Sequence, residues 1–133
     1  MSEYHVVKLD IVDKSCLLET LKEMGYSPSV YLEPKRLRGY RGDLRQQKAH
    51  IVIDRRQIGG LSNDVGFERI GGKFIMHLSE YDQRVNTFDV RKFKKMYKVQ
   101  KTCSALCKNS RYRIKSKKTK KDGRIAISVE VLY

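Results

Sequence analysis

No apolar run in this sequence approaches the roughly 18–20 residues that a membrane-spanning helix needs. Residues 1–10 also lack the basic start and the long apolar segment of a secretion signal. Cysteine is scarce, and Cys16, Cys103 and Cys107 cannot all pair with one another. These absences favour a cytoplasmic protein with reduced thiols and no membrane partner.

Acidic side chains are also scarce, because 15 Asp and Glu stand against 29 Lys and Arg, for a formal net charge of +14. Hydrophobic residues nevertheless make up 40% of the chain, which excludes a disordered polycation. A length of 133 residues is enough to bury a core but short for two domains, so we expect a single domain spanning residues 1–133.

The positive charge is concentrated in three windows of the sequence. Residues 35–48, 91–101 and 111–124 carry net charges of +5, +6 and +7, so the rest of the chain nets −4 against the total of +14. Segmental charge of one sign creates a local field that attracts polyanions. The composition therefore favours a partner such as a nucleic acid.

The hydrophobic pattern predicts an α+β fold, a mainly antiparallel sheet with two helices packed on one face. Alternating or continuous apolar runs predict strands at 3–11, 29–33, 48–56, 64–70, 73–81 and on both sides of Lys-Asp-Gly 121–123. Helical spacing predicts helices at 13–26 and from about Thr87 or Asp89 onward, with a break or kink near Lys98. We expect 48–54 and 124–131 to share the sheet, 35–48 to form a basic loop, and 111–132 to form a basic hairpin.

Several motifs occur in a characteristic order. An N-terminal strand and a helix ending in "LKEMGY" precede "RGYRGD" at 38–43, "AHIVID" at 49–54, "NDVGFE" at 63–68 and "KDGRIAISVEV" at 121–131. With these motifs the chain resembles the family of hypothetical chloroplast reading frame 35, also called domain of unknown function 1257.

That family is encoded in cyanobacteria, plastids and some phages. The resemblance implies a small α+β domain without an established activity, placed in a bacterial or phage-infected cell or in a plastid stroma. Members often lie near genes for AAA-type ATPases, which implies an accessory role beside such a partner.

Candidate metal ligands are few. His5, His50 and His77 all lie on predicted strands, and three imidazoles can bind zinc, but nothing in the pattern places them on one face. Cys103 and Cys107 are four residues apart and lack a second cysteine pair at zinc-ribbon spacing. We therefore expect ordinary sheet histidines, packed cysteines, no metal site and no cofactor.

Motifs for catalysis are also missing. "RQIGGLSND" lacks the Lys-Ser/Thr ending of a phosphate-binding loop, and no nucleophile motif occurs. Asp54, Asp64 and Glu68 are the acids that a metal-dependent nuclease would use, but their spacing does not favour such a site. We expect a protein that is not an enzyme and has no catalytic residues.

The basic windows instead predict a nucleic-acid or ribonucleoprotein partner, with RNA weakly favoured over duplex DNA. No helix-turn-helix, zinc finger or complete RNA-recognition motif is present. Gly39 and Gly42 would let the backbone approach a ligand, and the two tyrosines flanked by arginines would stack on bases. The predicted contact residues are Lys35, Arg36, Arg38, Tyr40, Arg41, Arg45, Lys48, Arg111, Tyr112, Arg113, Lys115, Lys117, Lys118, Lys120 and Lys121. The alternative is an adaptor protein for a partner such as an AAA-type ATPase.

Overall fold

The computed structural model describes residues 3–108, 112–119 and 125–131, with side chains described through residue 106. It contains seven strands and four helices within these ranges. In chain order they are β1 Tyr4–Ile11, α1 Lys14–Glu23, β2 Ser29–Arg38, β3 Leu44–Ile53, α2 Arg55–Ile58, β4 Val65–Ile70, β5 Lys73–Ser79, α3 Glu80–Val85, α4 Val90–Lys108, β6 Tyr112–Thr119 and β7 Ile125–Val131.

Five strands form one antiparallel sheet in the order β1-β5-β4-β3-β2. The hairpin between β4 and β5 turns at Gly71 and Gly72, whose φ angles of 57° and 83° suit a two-residue turn that other residues adopt poorly. This sheet confirms the predicted α+β class.

The two long helices pack on one face of this sheet, as predicted. The Asp13 side chain caps α1 by accepting a hydrogen bond from the backbone N–H of Cys16 at 3.0 Å. Leu17 and Leu21 on α1 and Phe93 on α4 are fully buried in the same core. Fully buried partners from the sheet are Ile53, Val65, Phe67, Met76 and Leu78.

The prediction of a loop at residues 35–48 is wrong. Strand β2 continues through Pro34 to Arg38, and β3 begins at Leu44, so only residues 39–43 form the turn. The register of the β2–β3 pair shifts between Val30 and Lys35. Since proline cannot donate to a strand ladder, an irregular edge strand is where it can be accommodated, and Pro34 therefore does not end the strand.

The prediction that residues 124–131 join the main sheet is also wrong. Strands β6 and β7 pair only with each other among the described strands and form a second, two-stranded sheet. Helix α4 contacts both of them. The helix is also continuous through Lys98, so the break that the sequence predicts as one alternative does not occur. Its first half packs on the core, and the helix also contacts the second sheet.

The distal part of the β2–β3 hairpin, beyond the residues of β3 that pair with β4, folds over the sheet face opposite the helices. Val65 and Phe67 point into the helix-side core, so Gly66 between them faces the other side. A Cβ atom on Gly66 would lie 2.6 Å from Cβ of Ala49 and 2.8 Å from Cδ2 of Leu37. Leu37 and Ala49 are fully buried there in a small second core with Val52.

Replacing Gly66 with alanine is therefore expected to lower the free energy of unfolding by about 1–3 kcal/mol, because the added methyl overpacks this contact. Adding Ala49→Gly to that variant removes the closest clash and should recover part of the loss. Urea denaturation measures both effects.

Gly60→Ala is the matched control, since an added Cβ meets nothing within 4 Å there. It should change stability by no more than about 0.5 kcal/mol. A Gly66→Ala variant as stable as the parent would contradict the close packing of the hairpin on the sheet.

Candidate nucleic-acid interface

The β2–β3 hairpin is held in place by Asp64, which follows the turn that contains Gly59 and Gly60. One carboxylate oxygen, Oδ2, accepts the backbone N–H of Arg38 at 2.8 Å, and Oδ1 accepts the backbone N–H of Arg55 at 2.8 Å. The Asp64 N–H in turn donates to the carbonyl of Arg38 at 2.9 Å. Both backbone groups of Arg38 are thus bound by one residue, which places the end of β2.

Asn63 anchors the turn itself. Its side-chain Oδ1 accepts the backbone N–H of Tyr40 at 3.0 Å, and its Nδ2 donates to the hydroxyl of Ser79 at 2.9 Å. Its own N–H donates to Oδ2 of Asp82 at 3.0 Å. Asn63, Ser79 and Asp82 are all buried below the turn. The hydrogen bond from Tyr40 to Asn63 puts the "RGYRGD" and "NDVGFE" motifs in direct contact.

Burial raises the pKa of Asp64, and the backbone hydrogen bonds from Arg38 and Arg55 oppose that rise by stabilising the carboxylate. The Tyr4 hydroxyl donates to the Asp64 carbonyl at 2.6 Å. Burial also raises the pKa of Tyr4, with a further contribution from the Asp64 charge, so this phenol stays a donor. The strand at the far edge of the sheet thereby supports the same clamp.

The turn depends on its two glycines. Gly39 donates its N–H to the Asp43 carbonyl at 2.8 Å, and a Cβ on Gly39 would lie 2.5 Å from Oδ1 of Asp43. Gly42 has a φ of 80°, which disfavours other residues. The glycines serve the turn geometry, whereas the sequence suggested that they admit a ligand.

A groove of about 580 Å³ runs along the outer part of the hairpin. Ser29, Tyr31, Leu44 and Val52 contribute to its walls. The charged residues that line it are Lys35, Arg36, Arg38, Lys48, Asp54 and Asp64. The structure thus brings together four of the seven contact residues predicted in this window.

Hydrogen bonds orient the two arginines of the groove. Nε of Arg36 donates to the Arg45 carbonyl at 2.7 Å, and Nη1 of Arg38 donates to the Gly42 carbonyl at 3.0 Å. Lys35, Arg36, Arg38 and Lys48 are all exposed. Nη2 of Arg36 also donates to the Leu44 carbonyl at 3.5 Å. Each guanidinium has five N–H donors, so both arginines still offer the remaining ones to an anion.

The two acids of the groove do not cancel its charge. Asp54 forms an ion pair with Arg56, with 3.0 Å between Oδ1 and Nε, and the hydrogen bonds from Arg56 lower the pKa of Asp54. Asp64 is buried and engaged by backbone N–H groups. The four cations therefore dominate the accessible surface.

The other three predicted residues of the hairpin lie elsewhere. The Arg41 guanidinium covers the Tyr40 ring, with 5.3 Å to the ring centroid, at the tip. The Arg45 side chain is only 14% exposed, with Nε 3.1 Å from Oδ2 of Asp43 and its guanidinium over the Tyr4 ring. Arg45 therefore stabilises the turn from beneath.

The C-terminal contact residues are not brought to the groove by any described contact. Five of them belong to strand β6: Tyr112, Arg113, Lys115, Lys117 and Lys118. The remaining three, Arg111, Lys120 and Lys121, lie outside the described residues.

Tyr31 is a groove residue that the sequence interpretation missed. It lies on β2 and is 36% exposed, and the Lys35 ammonium sits 5.8 Å from its ring centroid. The sequence signal for Tyr31 is its position four residues before Lys35, the first residue of the basic window 35–48. The assumption that the strand stopped at Pro34 separated the two.

The histidines do not converge. His5 is exposed on β1, whereas Nδ1 of His50 accepts the backbone N–H of Arg69 at 3.0 Å. Nε2 of His77 lies 2.9 Å from Oε1 of Glu68. Within the described ranges, no group of three or more His, Cys, Asp or Glu residues is arranged to hold a metal ion.

Comparison of the chain with protein-family models, with curated proteins and with solved structures found no match. In the part of the chain that the structure describes, no helix is both long and apolar enough to cross a membrane.

Asp64→Asn is expected to lower the free energy of unfolding by about 1–3 kcal/mol. An amide has a single acceptor oxygen, so it leaves one of the two buried N–H groups, that of Arg38 or Arg55, facing an NH₂ group. Chemical denaturation measures the loss, and amide hydrogen exchange should show faster exchange at one of those two positions.

Asp10→Asn is the control for the loss of a negative charge, because the Asp10 side chain is 89% exposed and its nearest cation, Lys73, is 3.8 Å away. It should leave stability nearly unchanged.

The pH dependence gives a second test. Because the pKa of Asp64 is raised in the folded state, the carboxyl of the unfolded chain ionises first as pH rises. The contribution of Asp64 to the stability of the parent should therefore fall between the ordinary and the raised pKa. The Asn variant should lose that slope, and unchanged stability and slope would contradict the clamp.

Proposed function

We propose that this chain is a non-enzymatic protein that binds nucleic acid or a ribonucleoprotein through the groove of the β2–β3 hairpin. The observation that carries the proposal is the convergence of Lys35, Arg36, Arg38 and Lys48 beside Tyr31 in one groove. The groove lies on a hairpin whose backbone is anchored at Arg38 and Tyr40.

Such an arrangement of cations favours binding of a phosphate backbone. Each cation that neutralises a phosphate releases condensed counterions, which supplies much of the affinity. The anchored hairpin supports this, since side chains on a rigid strand lose less freedom on binding than those of a mobile loop. Tyr31 supplies a partly exposed ring on which a base can stack.

Single-stranded RNA is the favoured ligand. A groove between strands with an aromatic side chain suits unpaired bases, whose faces are accessible, better than the paired bases of a duplex. The proposal includes membership of the family of hypothetical chloroplast reading frame 35, which the resemblance implies. It also places the protein in a bacterial or phage-infected cell or in a plastid stroma.

The test is the double variant Lys35→Gln with Lys48→Gln, which removes two exposed groove cations whose ammonium groups form no ion pair among the described residues. Fluorescence anisotropy with a labelled single-stranded RNA should show weaker binding. The slope of log affinity against log salt should flatten by about 1.4, since each phosphate contact contributes about 0.7 on a single strand.

Lys14→Gln with Lys22→Gln is the matched control, because it removes the same charge from exposed positions on α1. Helix α1 packs on the sheet face opposite the hairpin. If both double variants bind with the parent's affinity and slope, the groove does not contact phosphate. If both weaken binding equally, net charge rather than the groove drives it.

A second candidate function is an adaptor role toward a protein such as an AAA-type ATPase. The observation that favours it is a run of exposed apolar residues on edge strand β2: Val30 is 45%, Tyr31 36% and Leu32 98% exposed. Among the described strands none pairs with the outer edge of β2. Exposed apolar strand edges accept partner strands.

Leu32→Lys distinguishes this second candidate. It should abolish capture of a nucleotide-hydrolysing partner from a host lysate and leave RNA binding intact, because it places a charge on the edge without touching the groove cations. Capture of that partner by the parent but by neither Leu32→Lys nor the Lys35/Lys48 variant would point to a shared surface. Equal capture by the parent and Leu32→Lys would exclude the β2 edge.

A further inference from the structure

A second cationic groove lies between β1 and α4. Its volume is about 580 Å³. The charged residues that line it are Lys8, Asp10, Lys94, Lys95, Lys98 and Lys101. None of these lysines lies in the two windows predicted to contact nucleic acid, yet four of them belong to the third basic window of the sequence.

The lysines are poorly compensated by acids. Helix α4 contains no Asp or Glu. Asp10 forms its ion pair with Lys73, outside the groove, and Lys101 lies 3.8 Å from Asp13. Within residues 3–106, no carboxylate lies within ion-pair distance of the other four groove lysines, and all of them are exposed.

The spacing of the lysines aligns them. Lys94, Lys98 and Lys101 follow the i, i+4, i+7 pattern of one helix face, and consecutive members lie about 4.5–6 Å apart along the axis. Like charges at this spacing destabilise an isolated helix, so helix stability does not explain them. An aligned row of positively charged ammonium groups is complementary in charge to the row of phosphates along a nucleic-acid strand.

The chemistry of this groove differs from that of the hairpin. Among the described residues no arginine lines it, and its two aromatic residues offer little surface for stacking: Phe93 is fully buried and Tyr97 is 7% exposed. The Tyr97 hydroxyl accepts the backbone N–H groups of Val12 and Asp13, both at 3.1 Å. The groove therefore offers point charges on a fixed apolar floor and no means to read bases.

We propose that the β1–α4 groove is a second nucleic-acid site, which binds phosphate backbone without regard to sequence. This inference rests on the proposed function and extends it. Strands β1 and β2 are the two edges of the five-stranded sheet, about 19 Å apart in a flat sheet, and the two grooves lie on opposite faces of it, so a shared ligand has to pass around a sheet edge. A single strand of about 20 nucleotides, at about 3.4 Å per stacked nucleotide, is long enough to reach from one groove to the other.

The test uses the double variant Lys94→Gln with Lys98→Gln and a labelled single-stranded RNA of about 20 nucleotides. Its salt slope should flatten by about 1.4 relative to the parent, and its affinity should fall equally for different base compositions. Arg91→Gln with Lys92→Gln is the control, because it removes two exposed cations from the same helix outside the groove. An equal change in the two double variants would overturn the inference.

Lysine acetylation of the parent, read by mass spectrometry, gives an answer that does not depend on a variant's folding. Saturating RNA should protect Lys94 and Lys98 and leave Lys92 reactive. Protection of Lys35 and Lys48 alone would overturn this inference and leave the proposed function standing. A parent that binds no RNA would overturn both.

Vesicles of phosphatidylcholine and phosphatidylserine form the last arm of the experiment, since lipid headgroups also carry phosphate. Protection of Lys94 and Lys98 by vesicles but not by RNA would overturn the inference and assign the groove to a membrane surface.

Discussion

The buried pair Asn63 and Asp64 is the constraint on which the rest of the structure depends. A buried hydrogen bond contributes only about 0.5–1.5 kcal/mol net, but a buried donor left without a partner costs about 1–3 kcal/mol. The pair therefore has to bind the backbone of β2 and the turn at the same time as it binds Asp82 and Ser79. These hydrogen bonds hold the hairpin against the sheet, where Leu37 and Ala49 pack on Gly66.

The anchored hairpin and the long helix explain how so basic a chain folds. Self-repulsion at a net charge of +14 opposes a compact state. The described core is built almost wholly from apolar and neutral polar side chains, and the groove cations stay at its edges. The two grooves differ in chemistry: the hairpin groove combines two arginines and two lysines with the partly exposed Tyr31, whereas the cations described in the β1–α4 groove are all lysines. In the proposal, this separates contact with bases from contact with backbone.

Sequence patterns were most reliable where one local rule acted alone. Asp13 and Gly25 bound the first helix as their capping preferences predict, and Gly71-Gly72 marks a hairpin turn. They were misleading where two rules competed. Proline predicts the end of a strand before Pro34, but an irregular edge strand accommodates it. The strand predicted at 73–81 runs two residues into helix α3, which begins at Glu80 because Ser79 caps it and bonds to Asp82.

By itself, the sequence determined the α+β class, the apolar faces of the first strand and of both long helices, and the segments that carry the charge, because periodicity and composition are local properties. Only the tertiary structure decided which charges meet. It placed Arg45 beneath the turn, joined Tyr31 to the cations of β2 and β3, and brought Lys8 of β1 to the lysines of α4. It also kept β6 and β7 apart from the main sheet. These outcomes depend on contacts between residues tens of positions apart, chiefly the clamp of Asp64 on Arg38, and no local pattern encodes such pairings.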